Sequence, residues 1–110
     1  MNSETVSAIV GEMMDGRTVV ITGGTVRDRD RAQVDIARYL YDRCLPVSRS
    51  NGSSGSATFR SYISGGSITV QSDLRGTSCD SVYILVSEHH NAVTATQTSE
   101  DPRVVFAQHA

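Results

Sequence analysis

The spacing of hydrophobic residues predicts that helices and strands alternate along the chain. Between residues 6 and 14 apolar side chains recur at helical spacing, and Ser3 can cap this first helix. A continuous β-branched run follows at residues 18–22 and ends at the pair Gly23 and Gly24. Because this run does not alternate with polar residues, it predicts a strand covered on both faces, as in a parallel sheet. The glycine pair fits a phosphate-binding turn or, more simply, a tight connection.

A second helix is predicted in the region between residues 28 and 45. Asp28 or Asp30 can cap it, and Pro46 ends the helical region. The residues expected on its buried face are those that recur at helical spacing: Ile36, Ala37, Leu40, Tyr41 and Cys44. Residues 47–56 are rich in Ser, Gly and Asn, so we expect a flexible loop there.

The second half of the chain has the pattern of strands. Residues 57–72 alternate with a period of two on either side of a glycine pair, which predicts a β-hairpin. Residues 82–86 form the most hydrophobic run and predict a central strand, and residues 103–107 predict a last one. Together the elements predict a single α/β domain of 110 residues, with three layers and a mostly parallel sheet that contains an inserted hairpin.

The basic residues narrow the range of functions. All ten are arginine, so the chain contains no lysine, and its formal net charge is −2. Without lysine there is no Walker A loop, whose lysine contacts the β- and γ-phosphates, and no Schiff-base chemistry. The codon usage of a GC-rich genome is the simplest explanation of the missing lysine, and the exclusion holds whatever its origin. Because nucleic-acid-binding domains are usually strongly basic, we expect at most weak nucleic-acid binding.

The other composition features indicate a soluble protein without a cofactor. Cys44 and Cys79 leave open a disulfide or two free thiols, and no Cys/His spacing suits zinc. No apolar run approaches the length of about 20 residues that a membrane span needs, and no signal peptide is visible. We therefore expect a cytoplasmic location, no membrane contact, and no metal or cofactor.

From residue 18 onward, the order of segments matches a known arrangement. Residues 64–70 read Ser-Gly-Gly-Ser-Ile-Thr-Val, Arg75 and Gly76 precede Asp80, and the most hydrophobic strand leads into Ser-Glu-His-His at residues 87–90. This order resembles the ATPase core of phage terminase large subunits and, more widely, RecA-like helicase-type NTPases. The resemblance implies a partial RecA-like core in which residues 87–90 occupy the position of a DExH motif.

Departures from that family pattern bear on activity. The resemblance implies that Ser87 replaces the aspartate that holds Mg²⁺, that Glu88 stands at the water-activating base, and that His90 stands at the coupling histidine. A hydroxyl is a poor substitute for a carboxylate on Mg²⁺. Met1 also falls about where the family's P-loop has already ended. We therefore expect a non-catalytic protein in which these three residues are vestigial.

Simpler interpretations stay open for the candidate site residues. Glu88 and His90 also fit a polar surface loop at the end of a strand. Arg75 fits either an anion contact or a solvent-exposed turn. Arg27 and Arg29 alternate with aspartates, which is typical of a solvated helix start and only secondarily of a nucleic-acid contact.

The resemblance also implies an exposed edge of the sheet. In the family's order the strands at 18–22, 82–86 and 103–107 are adjacent, and the missing first strand would lie beyond the last of them. Because an exposed apolar edge favours pairing with another chain, Val104, Val105 and Phe106 are interface candidates. We expect a catalytically inactive, terminase-like phage module in the host cytoplasm that binds a protein partner or a second copy of itself. The alternatives are a small virion structural or accessory protein, and a residual ATPase subunit completed in trans.

Overall fold

A computed structural model describes residues 1–52, 55–72, 79–86 and 104–108. Two helices and six strands occur in these ranges. They are α1 (Ser3–Met14), β1 (Thr18–Gly23), α2 (Val26–Asp42), β2 (Val47–Asn51), β3 (Ala57–Ser61), β4 (Ser67–Val70), β5 (Ser81–Val86) and β6 (Val104–Gln108).

All six strands belong to one mixed sheet with the order β2-β3-β4-β1-β5-β6. Strands β4, β1, β5 and β6 are parallel, and β3 pairs antiparallel with both β2 and β4. The predicted hairpin is confirmed, since Ala57 of β3 lies opposite Val70 of β4. The α/β class is confirmed as well. The strands β1, β5 and β6 are adjacent, an arrangement that many parallel sheets share.

Helix α1 forms as its pattern predicts, with a cap one residue earlier. The Asn2 side chain accepts a hydrogen bond from the Thr5 backbone N–H at 2.8 Å, so Asn2 caps the helix and Ser3 is its first residue. The helix buries one face on the sheet through Val6, Ile9, Val10 and Met13. Gly16, with φ of +85°, turns the chain into β1.

Helix α2 begins earlier than the sequence suggested, at Val26. The cap is Thr25, whose Oγ1 accepts from the Asp28 N–H at 3.1 Å, while Asp28 Oδ2 accepts from the Thr25 N–H at 2.8 Å. This reciprocal pair is a capping box, with a carboxylate at the third helical position. Asp28 and Asp30 therefore lie inside the helix, and neither is its cap.

The main core lies between the two helices and one face of the sheet. Val19 and Ile21 of β1 point toward this core, whereas Val20 and Thr22 are buried on the opposite face. The prediction that β1 is covered on both faces is therefore confirmed. Both described helices lie on one face, so the described residues form two layers, and the predicted third layer is not among them.

Two further expectations are wrong. Residues 47–51 were expected to be loop but form the edge strand β2, because Val47 to Asn51 pair antiparallel with β3 in register from Val47–Ser61 to Asn51–Ala57. Tyr41 and Cys44 were expected on the buried face of α2, yet Tyr41 is 85% exposed and Cys44 is exposed. The helix ends at Asp42, so Cys44 lies beyond it and does not continue its apolar face.

Candidate functional site

The carboxyl ends of β1 and β5 mark the topological switch point of the sheet. From β1 the chain passes through α2 toward the side of β4, whereas β5 on the other side of β1 leads to β6. Adjacent parallel strands whose connections diverge leave a crevice outside their carboxyl ends, where open α/β sheets bind ligands. The sequence-predicted residues Arg27, Arg29, Ser87, Glu88 and His90 all follow these two strands in the chain.

The glycine pair at this edge is required by close packing. Gly23 and Gly24 have φ of +82° and +62°. A Cβ on Gly23 would lie 2.9 Å from Ile84 Cγ2 and 3.1 Å from the Leu85 carbonyl oxygen. Gly23 thus lets β1 turn into α2 directly against β5, whereas a Cβ on Gly24 would lie against the Asp28 side chain of α2.

Of the arginines predicted to contact anions, two are described. The Arg29 Nη1 donates to the carbonyl oxygens of Gly23 and Gly24, at 3.0 Å each, so this guanidinium holds the turn together. Arg27 is exposed on the first turn of α2, and its contact with an anion stays a prediction. Arg75 lies outside the described residues.

The vestigial candidates Ser87, Glu88 and His90 also lie outside the described residues. Within the ranges that are described, no cluster of three or more His, Cys, Asp or Glu side chains could hold a metal ion. Cys44 and Cys79 are not joined by a disulfide.

A polar cluster at the amino end of β5 ties α1 to the sheet. The Glu12 carboxylate accepts hydrogen bonds from the Ser81 hydroxyl and, at 2.5 Å, from the Tyr83 hydroxyl. Arg17 Nη1 lies 3.9 Å from the same carboxylate. Burial, the hydrogen bond to Glu12 and the charge of Glu12, in that order, raise the pKa of Tyr83. These contacts hold α1 against the amino end of β5.

The two edges of the sheet differ in their protection. At one end lies β6, which pairs with β5 and with no other described strand, so that Val104, Val105 and Phe106 lie opposite β5 residues. None of residues 104–108 is charged. At the other end lies β2, which carries Arg49 at its centre.

Sequence reasoning missed an open apolar groove of about 530 Å³ between α2 and β2. Its lining includes buried Leu40 and Phe59, half-buried Leu45 and Val47, and the exposed guanidinium of Arg49. One signal was available in the sequence: Val47 and Arg49 alternate with two serines, a period of two that is typical of a strand. The groove itself depends on β2 pairing with β3 and could not be inferred locally.

These features define a mixed α/β domain whose described polar clusters serve packing. Comparisons with models of known families, with curated proteins and with solved structures found no match for the chain. Neither described helix combines the length and the apolar character that crossing a membrane requires. We therefore infer the function from the geometry of the sheet edges and of the groove.

Proposed function

We propose that the protein is a non-catalytic binding module that self-associates through the β6 edge. The contrast in charge between the two ends of the sheet is the observation that carries this proposal. Residues 104–108 include no charged side chain, whereas β2 has Arg49 at its centre. Because a charge on an edge strand opposes pairing with another chain, β6 is the edge better suited to association.

The pairing we propose is antiparallel, with β6 of one copy beside β6 of the other. A closed homodimer uses the same surface on both subunits, which a two-fold axis next to β6 provides. The backbone N–H and C=O groups on the outer side of β6 would then be satisfied by the second copy. Val104, Val105 and Phe106 bring no like charges to this junction.

A terminase-like origin belongs to the same proposal. The adjacency of β1, β5 and β6 agrees with the strand order that this resemblance implies. In that setting the module would act in the host cytoplasm by binding a subunit of its own kind, and it would not hydrolyse ATP.

Two neighbouring proline substitutions test the β6 edge, Val105→Pro and Phe106→Pro. In a parallel strand the backbone N–H groups of consecutive residues point to opposite sides, so one proline removes a bond to β5 and the other removes an outward N–H. We expect the variant that loses the bond to β5 to be destabilised in thermal unfolding. The variant that loses the outward N–H should keep wild-type stability and sediment as a monomer, whereas the wild type sediments as a dimer.

Ser50→Lys is the matched control, since it adds a charge to the opposite edge at an exposed position. It should leave the dimer unchanged. A wild-type chain that stays monomeric at high concentration in sedimentation equilibrium would refute self-association. A stable proline variant with an unchanged dimer mass would show that a different surface is used.

A further inference from the structure

The groove between α2 and β2 has the size and lining of a small-molecule site. Its volume is about 530 Å³, within the range of about 300–1,000 Å³ that is usual for such sites. Leu40 and Phe59 in its lining are each 2% exposed, so the inner wall is part of the hydrophobic core. Leu45 and Val47 extend the apolar lining toward solvent.

Arg49 is the charged residue of this lining, and its side chain is held in place. Its Nη2 donates to the Gln33 Oε1 at 3.0 Å, and its Cζ lies 5.4 Å from the centre of the Phe59 ring. Gln33 is only 8% exposed, and its Nε2 donates to the Gly55 carbonyl oxygen at 3.1 Å. Both ends of this buried amide are used, so Gln33 orients the guanidinium beside the groove.

The charge of Arg49 is not neutralised within the described part of the chain. No described carboxylate lies within salt-bridge distance of it. The bond to Gln33 uses one of the five guanidinium N–H donors, which leaves a fork of donors suited to a carboxylate. Charge complementarity therefore calls for an anionic group at one end of an otherwise apolar ligand.

We propose that this groove binds an alkyl carboxylate, with the chain against Leu40, Leu45 and Val47 and the carboxylate on Arg49. Four of the eight lining residues are aliphatic, which favours an alkyl chain for the apolar part of the ligand. The planar guanidinium, fixed by Gln33, favours a bidentate carboxylate. This site is independent of β6, so a monomeric β6 variant should bind the same ligand.

Cys44 makes the proposal directly measurable, because its exposed thiol lines the groove whereas Cys79 does not. In a Cys79→Ser background, the rate of alkylation of Cys44 by N-ethylmaleimide is followed by mass spectrometry. Saturating decanoate should slow this alkylation about tenfold or more. Decanol and decyltrimethylammonium, which have the same chain without the negative charge, should protect much less.

The variants Arg49→Gln and Arg60→Gln form a matched pair. Arg60 is an exposed arginine of the adjacent strand, and its side chain alternates with that of Phe59, so it points away from the groove. We expect Arg49→Gln to weaken decanoate binding about tenfold or more, as the loss of a charge-assisted pair predicts. Arg49→Lys should retain part of the affinity, and Arg60→Gln should retain all of it.

Three results would overturn the assignment. The first is an unchanged alkylation rate in decanoate, and the second is equal protection by decanol, which would indicate apolar binding alone. The third is equal weakening by the Arg49 and Arg60 variants, since that would reduce Arg49 to a contribution to net charge. Thermal unfolding of each variant establishes that the compared proteins are folded.

Discussion

Replacing Cys44 with glycine should stabilise the protein, because Cys44 occupies a position that favours glycine. At the end of α2 the Leu45 N–H donates to the Leu40 carbonyl at 3.1 Å, and the Cys44 N–H donates to the Tyr41 carbonyl at 3.0 Å. This pair of bonds is a Schellman motif, in which the residue at the position of Cys44 adopts a left-handed conformation. Cys44 has φ of +50° and is the one non-glycine residue with positive φ among those described.

The size of the effect follows from two opposing terms. A β-carbon in the left-handed conformation costs about 1–2 kcal/mol. Glycine loses more backbone entropy on folding, which offsets about 0.5–1 kcal/mol of the gain. The Cys44 side chain is exposed, so its removal loses little buried surface. The free energy of unfolding should therefore rise by about 0.5–1 kcal/mol, equivalent to roughly 3–6 °C in Tm.

Thermal and urea unfolding, followed by circular dichroism, measure this difference. Cys44→Ala is the control, since alanine also lacks the thiol but retains the β-carbon and its strain. The alanine variant should unfold close to the wild type, and the glycine variant above both. Equal stability of the glycine and alanine variants would refute the left-handed conformation of residue 44.

Three further predictions concern α1 and its contacts. Above about pH 10 the unfolded chain loses the Tyr83 proton while the folded chain keeps it, because burial and Glu12 raise the pKa of Tyr83 in the folded state. The free energy of unfolding should fall as pH rises through this range, and in urea titrations Tyr83→Phe should reduce the slope. Gly66→Ala should destabilise by about 2 kcal/mol or more, because its β-carbon would overlap the Met13 carbonyl oxygen. Gly11→Ala should instead stabilise α1 by up to about 1 kcal/mol, since the space around Gly11 is open. A Gly66→Ala variant as stable as the wild type would contradict the close approach of Gly66 to Met13.

The elements that could be predicted from the sequence are those whose signal is local. The run at β1 is apolar at consecutive positions, and burial of Val20 and Ile21 on opposite faces is its direct consequence. The β3–β4 hairpin combines alternation with glycines in its turn, so pairing partners are close in the chain. In both cases a few neighbouring residues contain the information that determines the structure.

The groove could not be predicted because it depends on partners far apart in sequence. Arg49 lies in a polar segment with weak strand propensity, and β2 forms because β3 offers it an edge. Tyr41 follows the helical spacing of Leu40 and Ala37 but borders the groove instead of the core. The carboxyl end of α2 could not be located from the sequence either, since Cys44 stands where a glycine usually marks a helix end.

Three arginines of the described part of the chain make specific contacts with neighbouring groups. Arg29 donates to two backbone carbonyls, the Cζ of Arg43 lies 3.6 Å from the centre of the Tyr39 ring, and Arg49 combines an amide with the Phe59 ring. The guanidinium group is flat and has five directed N–H donors, whereas the lysine ammonium is a compact charge with three. A count of positive charges in the sequence therefore overestimates the cations available to phosphate, because the guanidinium groups of these three arginines already contact other parts of the protein. Arg49 differs from the other two in lining an apolar groove, so of these three arginines it is the one that we propose to bind an anion.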